Sequence, residues 1–250
     1  MRVTFLGTGA AMPTGDRFQT GLLFEGGDDG PLLVDCGSGV VHAVARTSIE
    51  PTDIETVLLT HHHLDHVSDV LPLLKARWLA GRTDLEIVGP PGTADLLEGL
   101  LSVHDYMAGR FDLDVREIGP GSHEVAGFGV EARETIHSMY CLAYRLEADD
   151  VAVTFSADTE ASDDICALAE GSAVLIHDCS FPDGIEVDNH PTPRELGAAL
   201  AGHEIGRVYL THLYPHTDGH HEEMIDSVAA NFDGEVRIPR DGLSIDVTTA

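Results

Sequence analysis

The sequence predicts an α/β protein, a single domain over residues 1–250, made of two sheets sandwiched by helical layers. Three observations predict it. Apolar runs rich in β-branched residues recur at strand length along the chain. Segments with apolar spacing of three or four stand between them, and no Pro/Gly/Ser-rich linker or internal repeat divides the whole. At 250 residues and 43% apolar content the chain can bury a sizeable core.

Taken in order, RVTFLG, TGLLFEG, PLLVDCG, TVLLTH and LEIVGP read as strands of the first half, each closed by Gly, His or Pro. VVHAVAR, SDVLPLLKARWL and TADLLEGLLSV have helical spacing, and Thr93 stands where it could cap the last of them. From about residue 113 to 157 the chain is mostly extended, through DLDVREI, HEVAGFGVEARETIH, CLAYRLEA and VAVTFSAD. Alternation then resumes: DDICALAE, PRELGAALAGHE and EEMIDSVAANF read as helices, AVLIHDC, RVYLTH and GLSIDV as strands.

The charge balance is the unusual bulk feature, with 43 Asp plus Glu against 14 Lys plus Arg and a formal net charge of -29. Lys75 is the one lysine. Such a surface resembles proteins of salt-loving archaea, where molar salt shortens the Debye length to roughly 3 Å and suppresses self-repulsion. The arginines form no basic stripe, which argues against avid nonspecific nucleic-acid binding but leaves RNA open as a substrate. Cys36, Cys141, Cys166 and Cys179 contain no C-x-x-C pair and read as small buried hydrophobes. No run of 18 apolar residues exists and MRVTFLGTGAAMPTG reads as a strand and loop, so a cytoplasmic protein with no membrane partner is expected. A homodimer is compatible with this composition.

The functional signal is LLTHHHLDHVSD, which packs four histidines and an aspartate into six consecutive positions. Neither an amphipathic helix nor a buried strand accommodates that cluster for structural reasons alone. Imidazole and carboxylate are ordinary ligands of zinc and similar metals. Other strands end the same way: ARETI at His137, VAVTFSA at Asp158 and RVYLT at His212. Strand ends converge in space, and the resulting set is too large for one zinc and about right for two.

The motif H-x-H-x-D-H, met by His61, His63, Asp65 and His66, resembles the signature of the metallo-β-lactamase superfamily. The resemblance runs from FLGTGAAMPTG through DCGSG to LTHLY and includes the spacing of His137, Asp158 and His212. It implies a four-layer αββα sandwich of the metallo-β-lactamase type with metals at one sheet edge. It also implies that His61, His63 and His137 hold one ion, Asp65, His66 and His212 the other, and that Asp158 bridges them. Two Zn2+ are expected, with Mn2+ as a substitute. Two ions so bridged, roughly 3.5 to 4 Å apart, lower the pKa of a shared water toward about 7. Asp65 would also orient that nucleophile. Asp35 in LLVDCGSG is the expected acceptor for a ligand imidazole.

FLGTGAAMPT, FSADT and NHPTPRELGAALA resemble the ribonuclease Z branch, which implies that His190 touches the scissile phosphate and acts as a catalytic acid. The protruding arm of that branch is missing, since only 20 residues separate His137 from Asp158. LIHDCSFPDG and LTHLYPHTDGHHEEMI look closer to the phosphodiesterase of bacterial phosphonate degradation, whose N-terminal cysteine cluster is absent here. The expected function is therefore a dinuclear zinc phosphodiesterase for small or cyclic phosphodiesters or RNA. A thioester or lactone hydrolase of the same fold is the alternative. Arg17 is a weaker phosphate contact, and His216, His220 and His221 read as a solvated loop and helix start.

Overall fold

Alternate residues of the first strand, β1 (Arg2–Gly7), enter two different cores. Val3 and Phe5 join one apolar cluster and Leu6 the other. The next strands, β2 (Gly21–Gly27) and β3 (Gly30–Val34), repeat this, with Leu22, Phe24, Leu32 and Val34 on one face and Leu23 and Leu33 on the other. A sheet apolar on both faces must be covered on both.

In this computed structural model, which describes residues 1–185 and 187–248, one sheet continues through β4 (Thr56–Leu58), β5 (Asp84–Gly89) and β6 (Asp112–Glu117). The second sheet comprises β7 (Gly121–Val125), β8 (Phe128–Glu134), β9 (Leu142–Ala148), β10 (Val151–Phe155), β11 (Val174–Asp178), β12 (Arg207–Thr211) and β13 (Glu235–Arg237). A last strand, β14 (Ser244–Asp246), returns to pair with β1. Phe5, Phe24, Phe128, Tyr144 and Tyr209 fill the space between the sheets.

Helices cover the outer faces. On the first sheet lie α1 (Val40–Val44), α2 (Leu64–Val67), α3 (Val70–Leu79) and α4 (Thr93–Ser102), with Val40, Val70, Leu73, Leu74 and Leu97 in the shared core. On the second lie α5 (Asp163–Leu168), α6 (Pro193–Leu200) and α7 (His221–Ala229), burying Leu196, Leu200, Met224 and Val228. The layering is αββα, as the strand and helix pattern predicts.

The sheet register positions the site. Strands β3 and β4 run parallel with Val34 beside Leu58, and β10, β11 and β12 run parallel with Phe155 beside Ile176 and Asp178 beside Thr211. Their C-terminal ends therefore open at common edges, and the residues that follow are those read as ligands. The step from β9 to β10 is a tight turn through Asp149 and Asp150, with φ of 51° and 60°, which leaves no room for an arm between His137 and Asp158.

Three local expectations need correction. HEVAGFGVEARETIH is a hairpin of β7 and β8, because Ala126 and Gly127 take φ of 50° and 74° at the turn. The helix expected from Ser68 begins two residues later, at Val70, after Asp69, whose carboxylate accepts the amides of Gly39 and Val41 at 2.9 and 3.1 Å. Thr93 does not cap α4. The cap is Gly92 at φ 95°, and Glu117 accepts the amides of Gly92 and Ala94 at 3.0 Å, so the Thr93 hydroxyl is free to donate to Pro90 O.

Candidate metal centre

The loop after β4 delivers His61 and His63, and α2 delivers Asp65 and His66 from its first turn. Gly37 makes that packing feasible, since a Cβ there would lie 2.0 Å from the Asp65 carbonyl oxygen. The amide of Cys36 donates to His66 O at 2.7 Å and fixes the turn from the other side. His137 comes from the loop after β8, Asp158 from the end of β10 and His212 from the end of β12. Asp35, Ala157 and His212 hold positive φ of 58°, 52° and 59°, a concentration of strained backbone at strand ends that the surrounding sheets impose.

These residues converge in two groups. Donor atoms of His61, His63, His137 and Asp158 lie within 4.8 Å of one another, as do those of Asp65, His66 and His212. Asp158 faces both groups. Its Oδ2 is 3.7 Å from His61 Nε2, 3.7 Å from His137 Nε2 and 3.3 Å from His212 Nε2, while its Oδ1 is 3.4 Å from His66 Nε2. Asp65 Oδ2 is 3.2 Å from His212 Nε2.

The far nitrogens of four of the imidazoles are tied down. His66 Nδ1 is 2.7 Å from Asp35 Oδ2, and Asp35 also accepts the Thr60 amide and hydroxyl, each at 2.8 Å. His61 Nδ1 meets the Thr60 hydroxyl at 3.0 Å, His212 Nδ1 the Ser180 hydroxyl at 2.9 Å and His137 Nδ1 the Asn189 carbonyl at 3.4 Å. Outer partners of this kind fix which nitrogen faces a metal. Asp35 thus has the place expected of it.

The protonation states suit a cation. Burial holds His61 well below the ordinary imidazole range and lowers His63 and His137, which keeps their lone pairs free. Burial also acts on Asp158 toward the neutral acid, but His212 and His66 outweigh it and hold the carboxyl well below its usual range. Burial acts to lower His66 and His212, but Asp158 outweighs it and raises both above the ordinary imidazole range. A metal would compete with protons for those two imidazoles. His66 Nε2 is buried with no hydrogen-bond partner, an orphaned atom aimed at a carboxylate 3.4 Å away. Five imidazoles and two carboxylates with that orphan fit divalent metal ions.

His190, ahead of α6, stands beside the cluster. Its ring stacks on His212 at 5.3 Å and 20°, and its Nδ1 is 2.7 Å from Asp178 Oδ2. Burial would lower its pKa, but Asp178 outweighs burial and raises it to about 9. A His190 ring nitrogen also lies within 4.8 Å of donors on Asp158 and His212, so geometry alone offers it as a third kind of donor.

Sequence reasoning missed Asp178 and Ser180. The buried Asp178 carboxylate accepts from Ser180 at 2.7 Å as well as holding His190. The signal was available, since Asp178 ends an apolar strand just as Asp35 and Asp158 do. Other histidines stay outside: His62 turns away to Thr93 Oγ1 at 2.8 Å, and His220 pairs with Glu223 at 3.0 Å. Arg17 donates to Thr8 Oγ1 and Pro239 O at 2.6 and 2.8 Å, so its guanidinium braces a loop. The four cysteines are buried free thiols. Among the described residues, no helix is long and apolar enough to cross a membrane.

Against known proteins, the profile of the family described as anti-Pycsar protein Apyc1 matches residues 1–229. The chain belongs to this family. Ribonuclease Z of Mycobacterium avium is 30% identical over 96% of this chain and 96% of its own length. Among solved structures, the metallo-β-lactamase fold protein YhfI from Bacillus subtilis superimposes with a TM-score of 0.87 at 25% identity, over 98% of each chain. Human tRNase Z, short form, gives 0.80 at 21% identity, over 99% of this chain and 100% of its own. The fold of the Apyc1-family chain is thus the metallo-β-lactamase fold.

Proposed function

We propose that this metal-dependent hydrolase cleaves phosphodiester bonds with two Zn2+, Mn2+ being a workable substitute, and acts in the cytoplasm on small or cyclic phosphodiesters or RNA. The observation that carries the dinuclear reading is Asp158, whose two oxygens face donors of both groups at 3.3 to 3.7 Å. His61, His63 and His137 would hold one ion, Asp65, His66 and His212 the other, with Asp158 shared. Bound there, such ions supply Lewis acidity toward the phosphoryl oxygens and a water with its pKa lowered to about 7. Asp65 orients the attacking water through its remaining acceptor capacity.

His190 is the proton donor to the leaving alkoxide. Its Nδ1 is committed to Asp178 at 2.7 Å, so Nε2 is the nitrogen left for substrate. The tight Asp149–Asp150 turn favours the smaller substrates over an RNA that needs gripping at a distance. A substrate panel on zinc-loaded protein, run in molar KCl, tests the assignment with bis-p-nitrophenyl phosphate, cyclic nucleotides, tRNA precursors, thioesters and lactones. Turnover confined to phosphodiesters supports it. Faster turnover of thioesters or lactones transfers the assignment to the alternative.

A further inference from the structure

Metals and His190 account for the phosphate of a substrate, but its ester groups need surroundings too. Among the described residues, no arginine or lysine joins the hydrogen bonds of the cluster, and Arg17 is spent on Thr8 and Pro239. The cavity at His190, about 630 Å³, is lined by Glu160, Asp163, Asp188 and Glu195. An ester group carrying further negative charge would be repelled on that side.

What the ligand-bearing loops present to solvent is apolar. Leu64, between His63 and Asp65 in the chain, is 74% exposed, and Ile136, directly before His137, is 50% exposed. His63 Nδ1 and His137 Nε2 are 3.1 Å apart, so these two side chains flank neighbouring donors. Ile136 is held by its backbone, its amide donating to Thr159 Oγ1 at 3.3 Å and its carbonyl accepting the Glu160 amide at 3.0 Å. Tyr140, 39% exposed, stands in the same loop as His137. Met12, 48% exposed, belongs to the loop after β1, which a Gly9–Leu213 bridge and the Leu213 amide, donating to Thr8 O at 3.0 Å, tie to the His212 end of β12. Large apolar side chains held open to water mark a surface that a partner covers. Their place in the chain names the partner, because a molecule bound at the metals is the one they would border.

We infer that Met12, Leu64, Ile136 and Tyr140 form an apolar rim that takes an uncharged alkyl or aryl ester group of the substrate, a reading that rests on the phosphodiesterase assignment above. A diester with one phosphate and one such group places its single charge on the metals and its carbon on the rim. It brings no second charge to the carboxylates beside His190.

Calorimetric binding to the zinc-loaded protein in molar KCl tests this without turnover, using methyl, butyl and octyl phosphate. Affinity should rise with chain length, by roughly 2- to 4-fold for each methylene that the rim covers, the upper figure being complete burial. Butyl phosphate should then bind roughly 8- to 64-fold tighter than methyl phosphate. Leu64→Ser combined with Ile136→Ser should bring that ratio close to one at parental zinc content. Leu79→Ser, a change at a 73% exposed leucine on α3, should leave the ratio as it is. Equal binding of the three phosphates by the parent protein overturns the rim, and so does a ratio that survives the double substitution or falls equally with Leu79→Ser. Sedimentation that shows a parent dimer split by the double substitution, with the ratio kept, assigns these side chains to a contact between copies and also overturns it. Hydrolysis of methyl p-nitrophenyl phosphate by the same preparations reads the underlying assignment separately: no turnover fails that assignment, while the binding ratio still decides the rim.

Discussion

Replacing Asp178 by Asn changes one atom's chemistry and separates proton delivery from metal binding. Asp178 supplies two acceptors, Oδ2 for His190 Nδ1 at 2.7 Å and Oδ1 for the Ser180 hydroxyl at 2.7 Å. Asparagine supplies one acceptor and one donor. If its oxygen serves His190, its amide must face Ser180, whose hydroxyl can still donate to His212 O at 3.0 Å. The bond to His190 then changes from charge-assisted, about 1.5–3 kcal/mol, to neutral, about 0.5–1.5 kcal/mol. The difference of about 1–2 kcal/mol corresponds to roughly 5- to 30-fold in rate. Deleting the acid itself through His190→Ala should cost more, roughly 10² to 10⁴-fold. Steady-state kinetics on a cyclic nucleotide would show the loss in kcat. It should shrink on bis-p-nitrophenyl phosphate, because p-nitrophenolate leaves without a proton. Elemental analysis should show parental metal content in both variants. An Asp178→Asn protein with the parental rate on both substrates would refute the reasoning, and metal loss on His190→Ala would make His190 a ligand.

Other consequences follow from the charge and the packing. With a net charge of -29, melting temperature should rise between about 0.1 M and several molar KCl as the Debye length falls from about 10 Å to below 3 Å; a flat profile contradicts the adaptation to salt proposed from the composition. Arg77, 1% exposed, donates to Thr52 O at 2.7 Å, to Asp84 O at 2.6 Å and to Ile54 O. Arg77→Ala should cost at least about 3 kcal/mol in urea unfolding, since each stranded carbonyl costs about 1–3 kcal/mol, and a loss under about 1 kcal/mol would contradict that role. Dialysis against a chelator should lower the melting temperature and zinc should restore it, because ions held by donors that only the folded chain brings together stabilise the folded state alone; an unchanged melting curve would contradict metal-linked stability.

The seven ligand-type residues were legible because each follows an apolar strand and five are histidines, a residue with few reasons to cluster there. The sheets were legible from short apolar runs closed by Gly, His or Pro, such as Leu22, Leu23 and Phe24, which the fold buries on both faces. Asp178 ends an apolar strand as Asp35 and Asp158 do, but nothing adjacent in the chain shows what it would hold. Its partner His190 lies 12 residues on, a pairing only the folded loop creates. Thr93 reads as a cap because the sequence shows a hydroxyl at a helix start but not the carboxylate of Glu117, which reaches that helix end from β6. The acidity is plain in the composition, yet the mycobacterial, Bacillus and human relatives say nothing about salt.

Metal stoichiometry tests most directly whether Asp158 is shared between two ions. Inductively coupled plasma analysis of protein purified with excess zinc, then desalted, should find close to two ions per chain. Asp158→Ala should hold fewer and lose phosphodiester hydrolysis, since the Asp158 carboxylate oxygens lie within 3.7 Å of donors from both groups. One ion or none in the parent protein, or full activity in Asp158→Ala, would contradict the account.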